Sequence, residues 1–376
     1  MCAELRRASR LVGANPRGPV ARVSLAVRGC LRGLGASPGG SVVVALSGGA
    51  DSLALAAAAI DSGTRMGLDV RTVTVDHGLR PDSGHEARAV AELARSLGAV
   101  PRVVGVDAAA GADGPEGNAR AARMEALRRE ASGSPVLLGH TMDDQAETVL
   151  LRLARGSGPS SLRAIAPISR DADGVTWLRP LLKLRRTDTE GACAQAGLAP
   201  VHDPTNDVDG PWRAADGSPL RRSALRHVAI PALASALGVD PVPALARTAA
   251  LCAEDDDALS DRARSLADAA RVAAARVADD TGPADGGISV ALAVASLRGA
   301  PRAVRTRALR EGAQAAGIRA LSSTHVDAID DLVVAWRGQG PIDLPGGLAS
   351  RVGHGARARI VFVARERGDP TGRDCP

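Results

Sequence analysis

Residues 41–46 (SVVVAL) form a short β-branched run, which ends on Ser47-Gly48-Gly49-Ala50-Asp51-Ser52, and an alanine-rich helical stretch follows at 53–60. A strand that turns through two glycines straight into a helix constrains the architecture strongly, because the chain must next cross back to a parallel neighbour. The same grammar repeats. Strands are expected at 70–75, 103–106 and 136–138, and helices at 86–97, 116–130 and 143–154. The fold class is therefore α/β, a parallel five-stranded sheet with helices on both faces. Ligands of such sheets bind beyond the carboxyl ends of the strands, so the loops starting at Ser47, Asp76, Asp107 and Gly139 should face one crevice.

Outside this repeat the pattern changes. Residues 20–34 alternate apolar and arginine positions at helical spacing, and 36–40 break that helix with Ser, Pro and Gly. Helical patterns dominate 231–317, and Gly-rich short strands are expected at 338–363. The expected division is a basic helical extension at 1–36, an α/β catalytic domain at 37–230, and a smaller, mostly helical domain with a short-strand tail at 231–376.

With 45% hydrophobic and 24% charged residues over 376 positions, wholesale disorder is excluded. Three Trp, one Phe and no Tyr leave a core of Ala, Val and Leu, and exclude RNA recognition by rows of stacked aromatics. The net charge of +5 is carried by arginine, since Lys183 is the only lysine. Guanidinium groups suit a polyanionic partner, although a G+C-rich genome also favours arginine codons. Cys2, Cys30, Cys193, Cys252 and Cys375 contain no C-x-x-C pair, which argues against a zinc ribbon or iron–sulfur site and fits a reducing cytoplasm. No signal-type or bilayer-length apolar stretch is evident, so a cytoplasmic setting is expected.

The loop at Ser47–Ser52 has the composition of an anion cradle: two glycines let amides close on a phosphate and the following helix adds its positive end. It is not the Gly-Lys loop of common ATPases, because Lys183 is preceded by Leu182. The stretch Gly139-His140-Thr141-Met142-Asp143-Asp144-Gln145-Ala146-Glu147-Thr148 gathers three acids and a histidine at a helix start. Thr141 with Asp144 reads as a cap, and Asp143 and Glu147 fall one turn apart on one face. Like charges so placed call for a metal ion or a cationic substrate.

The Ser47 loop resembles that of the N-type ATP pyrophosphatase (PP-loop) superfamily, whose sheet is adenine nucleotide alpha hydrolase-like. The stretch from Gly139 closely resembles the signature of the tRNA(Ile)-lysidine synthetase family. Further motifs follow in that family's order: Asp76-His77-Gly78-Leu79-Arg80 with Glu86, Glu116 with Arg120 and Arg123, Arg179-Pro180-Leu181-Leu182, His202-Asp203-Pro204-Thr205-Asn206, and the basic segment Arg221-Arg222-Ser223-Ala224-Leu225-Arg226-His227. Met124 stands where the family usually carries an aromatic, and Ser223 where an asparagine is common.

The resemblance implies a ligase that uses ATP and Mg²⁺ to attach free L-lysine to C2 of the wobble cytidine of the isoleucine tRNA with a CAU anticodon. The base is first adenylated, AMP and pyrophosphate are released, and the codon read changes from AUG to AUA. It also allows a homodimer. It implies ATP binding by Ser47, Gly48, Gly49, Ala50, Asp51, Ser52, Arg120 and Arg123, and catalysis by Asp51, His140, Asp143, Asp144 and Glu147. Mg²⁺ falls to Asp51 and Asp143, and tRNA to Asp203, Asn206, Arg221, Arg222 and Arg226, with 231–376 positioning the tRNA. A PP-loop tRNA thiolase and a non-catalytic nucleotide-sensing RNA-binding protein are the rival readings.

Overall fold

The computed structural model describes residues 8–35, 38–78, 82–107, 114–156, 158–201, 210, 213, 218, 220–275 and 289–365. The first part of the chain carries helices α1 (Ala8–Val12) and α2 (Gly18–Gly33), then β1 (Ser41–Ala45), α3 (Ala50–Met66), β2 (Asp69–Asp76), α4 (Ser83–Leu97), β3 (Val100–Gly105) and α5 (Gly114–Ala131). Next come β4 (Val136–Leu137), α6 (Met142–Leu153), α7 (Pro159–Leu162), β5 (Ile168–Arg170), β6 (Thr176–Leu178) and α8 (Arg186–Gln195). A short helix α9 (Arg221–Ala224) runs through a π-helical turn (Leu225–Ala229) into α10 (Ile230–Leu237) and is followed by α11 (Val242–Ala275).

The strands pair in the order β3-β2-β1-β4-β6-β5. Five of them are parallel, as the alternation predicts, and β5 adds an antiparallel edge against β6. That sixth strand is only three residues long, too short for its pattern to register in the sequence. β1 is central and wholly apolar at Val42, Val43 and Val44, each at most 1% exposed, as a strand covered on both faces must be. The order reverses between β1 and β4, which sets the two loops that follow these strands side by side.

The basic helix expected as an N-terminal extension is bound into this body: Val20, Val23, Val27 and Leu31 of α2 join the core under α3 and α8. Its arginines face outward, Arg22 pairing with Asp188. Trp177 is buried on β6 and its indole N–H donates to Asp171 at 2.9 Å. Met124, the departure from the family's aromatic, packs against the core around Leu127 and Trp177.

Contacts divide the chain into two compact units, Met1–Cys252 and Ala253–Pro376. The second contains β7 (Ser289–Ala293), α12 (Val294–Arg298), α13 (Arg302–Ala315), α14 (Ser323–Val334), β8 (Ile342–Leu344), β9 (Gly347–Val352) and β10 (Arg359–Ala364). Its antiparallel sheet runs β7-β10-β9-β8. β7 lies in a stretch that reads as helical, because a five-residue run of Ser, Val, Ala and Leu carries no decisive period. Arg351 stacks on Trp336, 5.4 Å from the ring centroid. Arg305 and Arg307 are structural here: Arg305 makes a buried bidentate pair with Asp330 at 2.6 and 3.0 Å, and Arg307 reaches Asp256 at 2.8 Å. No single helix among the described residues is long and apolar enough to cross a membrane.

Phe362, the only phenylalanine in the chain, is fully buried at the centre of the second unit's core. Phe362→Ala is expected to cost roughly 3–5 kcal/mol there. Hydrogen exchange followed peptide by peptide should show the loss confined to Ala253–Pro376; equal loss in β1 and β4 would contradict the separate cores.

Candidate active site

The loop after β1 is closed by its own side chains. Ser52 Oγ donates to the Gly49 carbonyl at 2.9 Å and accepts the Ser47 amide at 3.2 Å, with the Ser47 hydroxyl 3.1 Å away. Gly48 has φ +88°, and a Cβ there would lie 2.7 Å from Val90 Cγ2, so a side chain is excluded by both backbone and space. Gly49 caps α3, whose first turn carries Ala50, Asp51 and Ser52 and supplies unpaired amides and the positive helix end. The loop after β4 touches it backbone to backbone: a Cβ on Gly139 would come within 3.1 Å of the Asp51 carbonyl. Thr141 then caps α6, Asp144 accepting the Thr141 amide at 2.7 Å and its hydroxyl at 2.9 Å, as the spacing predicts.

Between the two loops lies a cavity of about 910 Å³. Val73, Val75, Ala87, Val90 and Leu127 form apolar walls, while Ser47, Asp51, Arg120, Arg123, His140 and Asp144 line polar parts. Arg222 and Arg226 line it too; Arg221 does not and is exposed. Asp143 and Glu147 also stand outside the lining, Glu147 being fully buried. Asp203 and Asn206, with the rest of 202–209, lie outside the described residues, as do Leu79, Arg80, Trp212, Cys2 and Cys375.

The acids are held by arginines. Arg186, on the first turn of α8, reaches Asp51 at 3.5 Å, Asp144 at 3.3 Å and Glu147 at 3.6 Å, and its amide donates to Asp143 at 2.8 Å. Arg185 grips Asp143 at 3.0 and 3.2 Å. Arg226 makes a bidentate pair with Glu147 at 2.8 and 3.3 Å, and Arg222 stands 3.9 Å from it. Thr189 Oγ1 donates to Asp51. Arg185, Arg186 and Thr189 lie outside the sequence motifs. Their only signal is a basic pair after Leu184, and nothing local ties it to acids so far back in the chain.

Electrostatics follow from this packing. Burial pushes the Asp51 carboxyl up to about 6, against the pull of Thr189 and Arg186. Burial also acts to raise Asp144, but Arg186 and the bonds from Thr141 outweigh it and hold the carboxyl below its ordinary value. His140 is driven down to about 3 by burial, with Arg123 and Arg179 adding to the effect, so its imidazole is neutral near pH 7; its Nδ1 has no hydrogen-bond partner among the described residues. Arg123 is lowered by burial to about 10 and stays charged near neutrality, with its Nε unpartnered among the described residues.

No group of three or more His, Cys, Asp or Glu placed to hold a metal occurs among the described residues. Mg²⁺ habitually takes one or two carboxylates beside substrate phosphates. Asp51, which lines the cavity at the phosphate-type loop, fits that habit by its place; Asp143, wrapped by Arg185 and the Arg186 amide, stands outside the lining.

Comparison with known proteins gives the same assignment along the chain. The family described as PP-loop domain matches residues 28–233, and the TilS substrate binding domain matches 292–367. The tRNA(Ile)-lysidine synthase of Thermobifida fusca is 46% identical over 343 residues, 89% of this chain and 96% of that protein. Its counterpart in Salinispora tropica is 44% identical over 336 residues, 88% and 93% of the two chains. Among solved structures, the U34-tRNA thiolase NcsA from Methanococcus maripaludis has a TM-score of 0.52 at 16% identity, covering 63% of this chain and 79% of that one, a likeness of fold alone. On its sequence relatives, the chain belongs to the tRNA(Ile)-lysidine synthase family.

Proposed function

We propose that the chain adenylates O2 of the wobble cytidine in the isoleucine tRNA with a CAU anticodon and then joins free L-lysine to its C2. Pyrophosphate leaves in the first step and AMP in the second, with a carbon–nitrogen bond formed. The observation that carries this reading is the meeting of the Ser47–Ser52 loop and the Asp144 helix start at one strand-order reversal, around a single cavity. At about 910 Å³ it is at the upper end of small-molecule sites, roughly 300–1,000 Å³, with room for a nucleotide beside a second substrate.

ATP would place its phosphates on the loop amides and on Arg120 and Arg123, and its base against the apolar wall around Val73 and Val90. Asp51 would hold Mg²⁺ on the phosphates, which neutralises charge as pyrophosphate departs. A neutral His140 can donate one hydrogen bond to the α-phosphate but brings no charge. Lysine arrives as a cation and must become a neutral amine; Asp144, which lines the cavity, would meet it, and Glu147, outside the lining and paired with Arg226, would add negative charge behind it. Asp143 acts through Arg185 and Arg186, orienting the arginines around the other acids.

Arg221, Arg222, Arg226, Asp203 and Asn206 would contact the tRNA, and residues 231–376 would position it; the substrate-binding match at 292–367 supports that division of labour. A cytosolic setting, where tRNA, ATP and lysine coexist, fits this reading, and a homodimer is compatible with it. The thiolase reading is not favoured, because Cys193, the cysteine near Asp51, is buried and its thiol is raised to about 11.

Asp51→Asn should abolish tRNA-dependent AMP formation without unfolding the sheet; AMP released at the wild-type rate would remove Asp51 from the reaction. Because the ionised carboxylate is the active form and burial raises it to about 6, kcat/KM for AMP formation should climb as pH rises through that value. A flat profile from about pH 5 to about pH 8 would contradict this. Glu147→Gln should raise the lysine requirement and let the tRNA adenylate accumulate. Measuring the two half-reactions separately decides it, and equal loss of both would point to a shared structural role.

A further inference from the structure

The end of α6 holds cations that the functional reading leaves unused. Many arginines of the first unit end on carboxylates, as Arg65 does on Asp61, Arg128 on Asp171 and Arg186 on the site acids. Arg152, in the last turn of α6, instead donates to two backbone carbonyls, those of Ser161 and Ala164. It is half-buried there; burial lowers its guanidinium, and the nearby cations Arg222 and Arg155 lower it further. Arg155, just past the helix, is exposed, and its side chain has no hydrogen bond or ion pair among the described residues.

Guanidinium groups gathered in this way, with no carboxylate on Arg152 or Arg155 among the described residues, call for an anion from outside the chain. The cavity decides its shape. Arg222 lines the cavity and stands 3.9 Å from Glu147, whereas Arg152 and Arg155 lie beyond the lining. A nucleoside triphosphate held inside would meet Arg222 and neither of the others. A strand that sends one base into the cavity and keeps its backbone outside would meet all of them. Enzymes that act on a base take it out of its stack, and contacts to the neighbouring phosphates both offset that cost and fix the register of the strand.

We propose that Arg152 and Arg155 continue the row of cations from Arg222 out of the cavity and bind the backbone phosphates beside the nucleotide whose base is turned in. This rests on the functional reading above and adds a strand path to it: the RNA leaves the cavity over the end of α6. Arg152, tied to the α7 carbonyls, is the fixed member of the row, and Arg155 is the one free to close on a phosphate. ATP is the other source of phosphate, so the test separates the two.

Hydroxyl-radical footprinting of a tRNA transcript bearing the CAU anticodon, with the full chain and AMPCPP, reads the path directly. Arg155→Gln should lose protection at consecutive nucleotides on one side of the wobble position and keep it elsewhere. Its affinity for the transcript should fall about three- to tenfold, and the slope of log affinity against log salt should flatten by about 0.7, as for one lost single-strand phosphate contact. AMPCPP affinity should stay within about twofold of wild type, because Arg155 lies outside the cavity lining. Arg152→Gln should act in the same direction and Arg152→Lys, which keeps the charge, should act less; if Arg152→Gln fails to fold for want of its carbonyl bonds, the Arg155 variant decides. Arg32→Gln, on the exposed side of α2, is the control for loss of net charge alone. Equal weakening by Arg32→Gln and Arg155→Gln, protection lost in another arm of the tRNA, or a matching fall in AMPCPP affinity would each overturn the proposal. Normal AMP formation with an unchanged footprint in Arg155→Gln would remove this proposal alone, whereas no AMP from the wild-type protein with this transcript would remove the functional reading and the proposal with it.

Discussion

The guanidinium of Arg186 stands between Asp51, at the start of α3, and Asp144 and Glu147 of α6, within 3.3 to 3.6 Å of each. These carboxylates come from two different strand ends, and without a cation between them their mutual repulsion in a half-buried crevice would drive the loops apart or protonate the acids. Asp51 shows how narrow the margin is, since its carboxyl rises to about 6 even with Arg186 and Thr189 beside it. α8, which supplies both partners, is thus as much a part of the site as the motif loops.

Underneath this charge lattice lies a constraint of pure packing. The two loops lie next to each other only because strand order reverses between β1 and β4, and they can touch only because Gly139 has no side chain to hold the Asp51 backbone away. The loop after β1 and the start of α6 therefore share a wall of one cavity.

The sheet was legible because its strands are β-branched runs punctuated by glycine, and the Thr141–Asp144 cap was legible because capping is local. β5 and β7 escaped, being three and five residues long. Within the site, the motif acids and Arg226 could be named from sequence, but not who faces whom. Arg186 lies 135 residues from Asp51 and 42 from Asp144, and no periodicity spans such a gap. Asp143 and Glu147 share a helix face by spacing, yet each is claimed by a different arginine, Asp143 by Arg185 and Glu147 by Arg226. Arg305 and Arg307, in the part of the chain expected to position the tRNA, tie helices together through Asp330 and Asp256.

The scarcity of aromatic side chains also has an optical consequence. With no tyrosine anywhere, ultraviolet emission comes from tryptophan, and Trp177 and Trp336 fall in different compact units. Their surroundings differ: the Trp177 indole is buried and donates to a carboxylate, whereas the Trp336 ring is half-buried under the guanidinium of Arg351. Emission of the first unit comes from Trp177 together with Trp212 and that of the second from Trp336, so each unit carries a native fluorophore and no label need be added.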